Sequence, residues 1–123
     1  MGSLRFPKDA RLTSRKAIER LFENGQSFSA FPLKVIFEPR PSGDEPSRVL
    51  ITVPARTFRK ATDRNTLKRR IREGYRLNKS MLTSTSAFAV AYIYIAKEVL
   101  PSSTIHEAIQ SSLRRLNRYD KKG

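Results

Sequence analysis

The sequence predicts an α+β sandwich: a single domain in which one mostly antiparallel sheet carries helices packed on it, in the order α-β-β-α-β-α. Three observations lead there. Segments with apolar residues at i, i+3 and i+4 spacing alternate with segments whose apolar residues recur at every second position. Stretches rich in proline, glycine and serine separate the two kinds. No internal repeat or long linker interrupts the 123 residues, a length suited to one domain (1–123) with a modest core.

The elements follow in order. Leu12-Thr13-Ser14 offers a capping residue ahead of Arg15 to Glu23, where Ala17, Ile18, Leu21 and Phe22 form an apolar stripe; Asn24-Gly25 supplies the stop. From Phe31 to Phe37, Phe31, Leu33, Val35 and Phe37 alternate with Pro32, Lys34 and Ile36, a half-buried strand whose proline suits an edge or an entry point. Pro39 to Ser47, with Pro41, Gly43 and Pro46, reads as a loop. Arg48 to Val53 is a second strand, with Val49, Ile51 and Val53 on one face and Pro54 closing it. A second helix starts near Thr62, and Ser80 to Ser86 is a polar connection. Phe88 to Ile95 is apolar on both alternate faces, as a central strand should be. Pro101-Ser102-Ser103 opens a last helix with Ile105, Ile109, Leu113 and Leu116 inward and Arg114, Arg115 and Arg118 outward. Residues 1–10 and 119–123 are expected to be flexible.

Charge decides the class of partner. Arg56 to Lys79 holds 10 of the 25 basic residues, with Asp63 and Glu73 its only acids. With about 100° of turn per residue, Asn65, Lys68, Arg69, Arg72, Arg76 and Lys79 share one face of the second helix; Leu67, Ile71, Tyr75 and Leu82 share another, toward a core. A basic run is ordinarily a solvated face. Here the formal net charge is +14 and the pI near 11, an imbalance that repels itself unless an anionic partner neutralises it. Nucleic acid fits better than membrane, because this chain supplies strands and helices for the apolar side of the helix to pack on.

Other classes are excluded or disfavoured. A hydrophobic content of 38% argues for a folded chain rather than a disordered basic tail. No apolar run approaches the roughly 20 residues that span a bilayer, and Met1 to Lys8 lacks a signal-peptide apolar region, so a cytoplasmic protein without a membrane is expected. Without cysteine there are no disulfides, thiolate zinc sites or cysteine nucleophiles. The sole histidine, His106, lies early in the last helix and reads as a surface or capping residue. The 11 acids are scattered, the adjacent pair Asp44-Glu45 lies in a Pro/Gly loop, and no Gly-rich phosphate loop is present. Neither a self-sufficient active site nor a small-molecule substrate is expected.

The string Ala61-Thr62-Asp63-Arg64-Asn65-Thr66-Leu67-Lys68-Arg69-Arg70-Ile71-Arg72-Glu73-Gly74-Tyr75-Arg76 resembles the signature helix of the bacterial ribonuclease P protein family, R-N-x-x-K-R-x-x-R-E after a strand. The likeness extends over most of the chain: Arg11-Leu12-Thr13 before a helix ending in Phe22-Glu23-Asn24-Gly25, the strand L-I-T-V-P followed by Arg56, the late strand F-A-V-A-Y-I-Y-I-A, and the final helix. The resemblance implies a subunit that joins a catalytic RNA to remove the 5′ leader of precursor tRNA. The RNA would carry the chemistry with bound Mg2+, and one protein per RNA would be the stoichiometry. It also implies an unusual left-handed strand-helix-strand crossover around the basic helix, against the general rule.

By the resemblance, Arg64, Asn65, Lys68, Arg69 and Arg72 contact the catalytic RNA near its metal-dependent centre; Arg56, Arg59, Lys60 and Arg76 complete the RNA-binding set. Arginine suits phosphate because its planar fork binds two oxygens and stacks on bases. Asn65 reads as an RNA contact, as a weak metal contact through water, or as a helix-capping contact. The leader would run between the first helix and the exposed sheet face, past Ile18, Phe22, Phe31, Lys34 and Ile36, where aromatics stack on bases; plain core packing is the competing reading for each. The chain departs from the family pattern at Ala55, Arg59, Thr62 and Thr66, which removes a lysine and an arginine contact, and Arg70 points off the main basic face. The alternative function is a non-catalytic ribosomal-type or RNA-chaperone protein, and an autonomous metal-dependent nuclease ranks below both.

Overall fold

The computed structural model describes residues 15–39, 47–82 and 87–120. Helix α1 (Arg15–Asn24) leads into strands β1 (Gln26–Ala30), β2 (Leu33–Pro39) and β3 (Arg48–Thr52). Helix α2 (Ala61–Asn78), extended by a 3-10 turn (Lys79–Met81), precedes β4 (Phe88–Tyr94) and α3 (Ser102–Asp120). The strands lie in the order β1-β2-β4-β3. β1 with β2 and β2 with β4 are antiparallel, whereas β3 with β4 is parallel, so the sheet is mixed and α2 is the crossover between β3 and β4.

The expected order omits β1. Gly25 ends α1 by close approach rather than by a left-handed backbone, since no described glycine has positive φ: its N–H donates to the Leu21 carbonyl at 2.8 Å, and a Cβ there would sit 2.5 Å from that oxygen. The chain passes at once into Gln26-Ser-Phe-Ser-Ala30, where only Phe28 is buried. A single apolar side chain between two serines gives no alternation to read. Phe31 and Pro32, joined by a cis peptide, form the hairpin turn, so Phe31 leaves the expected strand and the strand runs from Leu33 to Pro39.

Register separates the two faces of the sheet. Leu33 pairs with Tyr94, Val35 with Phe28 and Tyr92, and Phe37 with Val90; Val49 and Ile51 continue these rows onto β3. All these side chains join the large core beneath α2 and α3, where Leu67, Ile71 and Tyr75 meet Ile105, Ile109, Leu113 and Leu116. On the opposite face Ala89 and Ala91 pack with Leu21, Ala17, Ile18, Ile36 and Leu50, so α1 lies on the small side chains of β4. Helices thus cover both faces, with β2 and β4 inside. Tyr119, expected to begin a loose tail, packs its ring 4.6 Å from that of Phe37; residues 1–10 and 121–123 lie outside the described residues.

The α2–α3 contact is tight and partly polar. Gln110 donates to the Asn78 carboxamide at 3.0 Å, and Asn117 to the Met81 carbonyl at 2.8 Å. At Gly74 a Cβ would stand 2.7 Å from Ile109 Cδ1 and 2.8 Å from His106 Cδ2. His106 is therefore a half-buried wedge between helices, not the surface or capping residue expected. Gly74→Ala gains helix propensity but overpacks this contact, and should lower stability by about 1–3 kcal/mol in denaturant titration.

Burial pushes the Tyr75 phenol up to about 12 from 10.0, and burial likewise raises Tyr92, whose hydroxyl shares a 2.7 Å hydrogen bond with Ser112. Below pH 10 the Tyr75 phenol is neutral in both states and its contribution is complete. Between pH 10 and about 12 the unfolded state alone releases the proton, so stability should fall across that window. Urea midpoints for wild type and Tyr75→Phe, compared over that range, should show the smaller alkaline loss in the variant.

Candidate nucleic-acid interface

The loop entering α2 is held by its own residues. Phe58 is buried with its ring 5.6 Å from Tyr94, and its N–H donates to the Pro54 carbonyl at 3.1 Å. From the outer side, Arg64 Nη1 donates to the carbonyls of Phe58 at 2.7 Å and Arg59 at 3.0 Å. Fixed between these points, Arg56, Arg59 and Lys60 are exposed. Lys60 occupies the N-cap position without a side-chain cap, and Asp63 is the acid of the first turn, where it complements the helix dipole.

Along α2, Asn65, Arg69 and Arg72 are exposed and Lys68 is half-buried. They lie on one face, with Leu67, Ile71 and Tyr75 buried on the other, as the periodicity predicts. Three arginines of the segment are committed to the fold. Arg64 holds the loop. Arg70, off the main basic face by spacing, donates to the Leu100 carbonyl at 2.6 Å and so ties α2 to the loop before α3. Arg76 pairs with Glu73 at 3.2 Å, its side chain is only 20% exposed, and its Nε is buried without a partner among the described residues. The set presented outward is therefore Arg56, Arg59, Lys60, Asn65, Lys68, Arg69 and Arg72, joined by exposed Lys79.

Beside this face lies a row of the sheet that no described element covers. On the α1 side, the register aligns Ser29, Lys34, Ile93 and Thr52 across all four strands. Ser29 and Lys34 are exposed and Ile93 and Thr52 half-buried, outside the cluster that α1 covers. The row borders the end of β3, where the chain turns into the basic loop. Phe31 at the hairpin tip is 67% exposed, and Ile95 beyond β4, bonded through its N–H to the Pro32 carbonyl at 2.9 Å, is 43% exposed. Phe22, on α1, is 46% exposed one helical turn after Ile18, which packs beneath the helix.

The five expected cleft residues thus divide. Phe22, Phe31 and Lys34 are accessible, whereas Ile18 and Ile36 serve the packing of α1. Sequence reasoning missed Thr52, Ile93 and Ile95. Their signal was present in the late strand: on one face it carries Ala89 and Ala91, then Ile93 and Ile95, and the change from small to large marks where α1 stops covering the sheet.

Among the described residues no three His, Cys, Asp or Glu side chains gather to hold a metal ion. Asn65 offers one carboxamide oxygen, and Asp63, two residues earlier, lies about 200° away around the helix. A hard cation that takes about six oxygens finds no protein-built site there.

The Ribonuclease P family model matches residues 6–119. The chain belongs to the ribonuclease P protein family. The ribonuclease P protein component of Porphyromonas gingivalis is 34% identical over 118 residues, covering 89% of this chain and 84% of that protein. The ribonuclease P protein of Thermotoga maritima superposes with a TM-score of 0.73 at 29% identity, over 85% of this chain and 96% of that one. The Staphylococcus aureus ribonuclease P protein shares the fold, with a TM-score of 0.72 at 20% identity over 87% and 94%. Family membership makes the chain a protein subunit of ribonuclease P, partnered with the ribonuclease P RNA and engaged in tRNA processing.

The Arg64 geometry carries a prediction. Arg64→Ala should cost about 1–2 kcal/mol and speed amide exchange from Ala55 to Lys60, because it removes two charge-assisted bonds to loop carbonyls. Exchange unchanged from wild type would assign the loop's order to Phe58 alone.

Proposed function

We propose that the outer face of α2 and the loop before it bind the ribonuclease P RNA, and that the uncovered sheet row receives the 5′ leader of precursor tRNA. The observation that carries this reading is their contiguity. The basic loop begins where the row Ser29–Lys34–Ile93–Thr52 meets the end of β3, so one RNA surface leads into another. Arg69 and Arg72 supply guanidinium forks to phosphates, with Lys68 and Arg59 beside them. Lys34 follows the leader backbone, and Phe22 and Phe31 offer faces for unpaired bases without reading their identity. Asn65 contacts RNA or a water on an RNA-bound metal.

Endonucleolytic hydrolysis belongs to the complex. Mg2+ held by the RNA would supply the activation of water and the neutralisation of the leaving oxygen. The chain's part is to hold the leader in line and to screen the charge of two approaching RNAs. One protein per RNA, acting in the cytoplasm, suffices for this arrangement.

The test is reconstitution with a bacterial ribonuclease P RNA at low magnesium, following cleavage of a precursor tRNA with a short leader. Cleavage at the mature 5′ end should appear only when RNA and protein are both present. Lys68→Glu with Arg72→Glu should abolish the enhancement and lower the salt slope of RNA binding by about 2. Tight binding without enhancement would instead favour a structural RNA-binding protein, and cleavage by protein alone an autonomous nuclease.

A further inference from the structure

The α2 segment does not account for all the excess charge. Outside residues 56–79 the remaining 15 cations face 9 acids, a net +6. Part of that excess is concentrated on the last two turns of α3, where Arg114 and Arg118 are exposed and Arg115 is half-buried. None of the three meets an acidic or hydrogen-bonding partner among the described residues; the described ion pairs lie elsewhere, at Arg15–Glu19, Arg20–Glu38 and Arg76–Glu73.

Arg115 is nevertheless ordered. Its guanidinium carbon lies 4.0 Å from the centroid of the Phe28 ring, and Phe28 is the one buried residue of edge strand β1. This contact places the three arginines on the β1 flank. α2 instead packs toward β3, at the other edge of the sheet, and its cationic face turns away from α3, since Ile71, Gly74, Tyr75 and Asn78 are among the residues that meet α3. The two cationic surfaces therefore stand on opposite flanks of one rigid core.

We propose that Arg114, Arg115 and Arg118 form a second contact for the sugar-phosphate backbone of RNA, so that the subunit bridges two RNA segments. Arg114 and Arg118 stand one helical turn apart, about 5–6 Å between Cβ atoms, close to the step between successive phosphates of a strand. Arg115, flattened on Phe28, keeps fork nitrogens at its rim for a third oxygen. Guanidinium groups that meet no acid among the described residues suit a phosphodiester chain, whose phosphates supply the missing charge, better than a protein partner, whose interface would need a buried apolar centre.

This inference rests on the proposed RNA partnership, and the test separates the two. Wild type, Arg114→Glu with Arg118→Glu, and Arg72→Glu would be compared on one bacterial ribonuclease P RNA, by binding over a salt series and by backbone footprinting. Both residues of the double variant are exposed, and an unchanged melting curve confirms its fold. Affinity should fall at least tenfold in the double variant, the salt slope by about 2, and a set of protected nucleotides distinct from those lost with Arg72→Glu should become reactive. Unchanged affinity and footprint would overturn the second contact while leaving the α2 face intact. Uniform weakening of the same protections that Arg72→Glu weakens would also overturn it, as long-range charge alone. Failure of wild type to bind would instead overturn the RNA partnership itself.

Discussion

The parallel pairing of β3 with β4 is the constraint on which the rest of this molecule depends. Parallel neighbours cannot be joined by a tight turn, so the chain must leave the end of β3, travel back over the sheet and re-enter β4 at its beginning. α2 is that return path. Its first turn, with the loop from Pro54 to Lys60, is therefore fixed at the end of the sheet where Thr52 and Ile93 lie open. The cationic face and the uncovered row become neighbours by topology, without any side chain having to hold them together.

The same strand decides what covers each side of the sheet. β4 presents Phe88, Val90, Tyr92 and Tyr94 to α2 and α3, and the alanines Ala89 and Ala91 to α1. Large side chains fill the deep two-helix core, and small ones let a short helix lie close. Where the alanines give way to Ile93 and Ile95 the helix no longer covers the sheet, and the cleft is the remainder.

Much of this was legible in the sequence because it is local and periodic. The three helices, the strands at Arg48 and Phe88 and the apolar face of α2 follow from spacing, and the R-N-x-x-K-R-x-x-R-E string carried the family. β1 was not legible, because one buried phenylalanine between serines has no period, and its strand character comes from pairing with β2. Nor could spacing tell which arginines are spent on the fold. Spacing set Arg70 off the basic face but could not show the Leu100 carbonyl that receives it, nor that Arg64 turns back onto the loop carbonyls and Arg76 stays with Glu73 one turn away. Ile36 and Phe31, both expected in the cleft, part for the same reason, one packed under α1 and the other exposed at a hairpin tip.

α2 is tethered along its whole length, at its start by Phe58 and Arg64, at its middle by Arg70 on the Leu100 carbonyl, and at its end by Asn78 with Gln110. A helix held in this way has its cationic face set by packing within the chain, not by contact with RNA. Within the folded chain, the α2 backbone then has little conformational entropy left to lose when a ligand docks on that face.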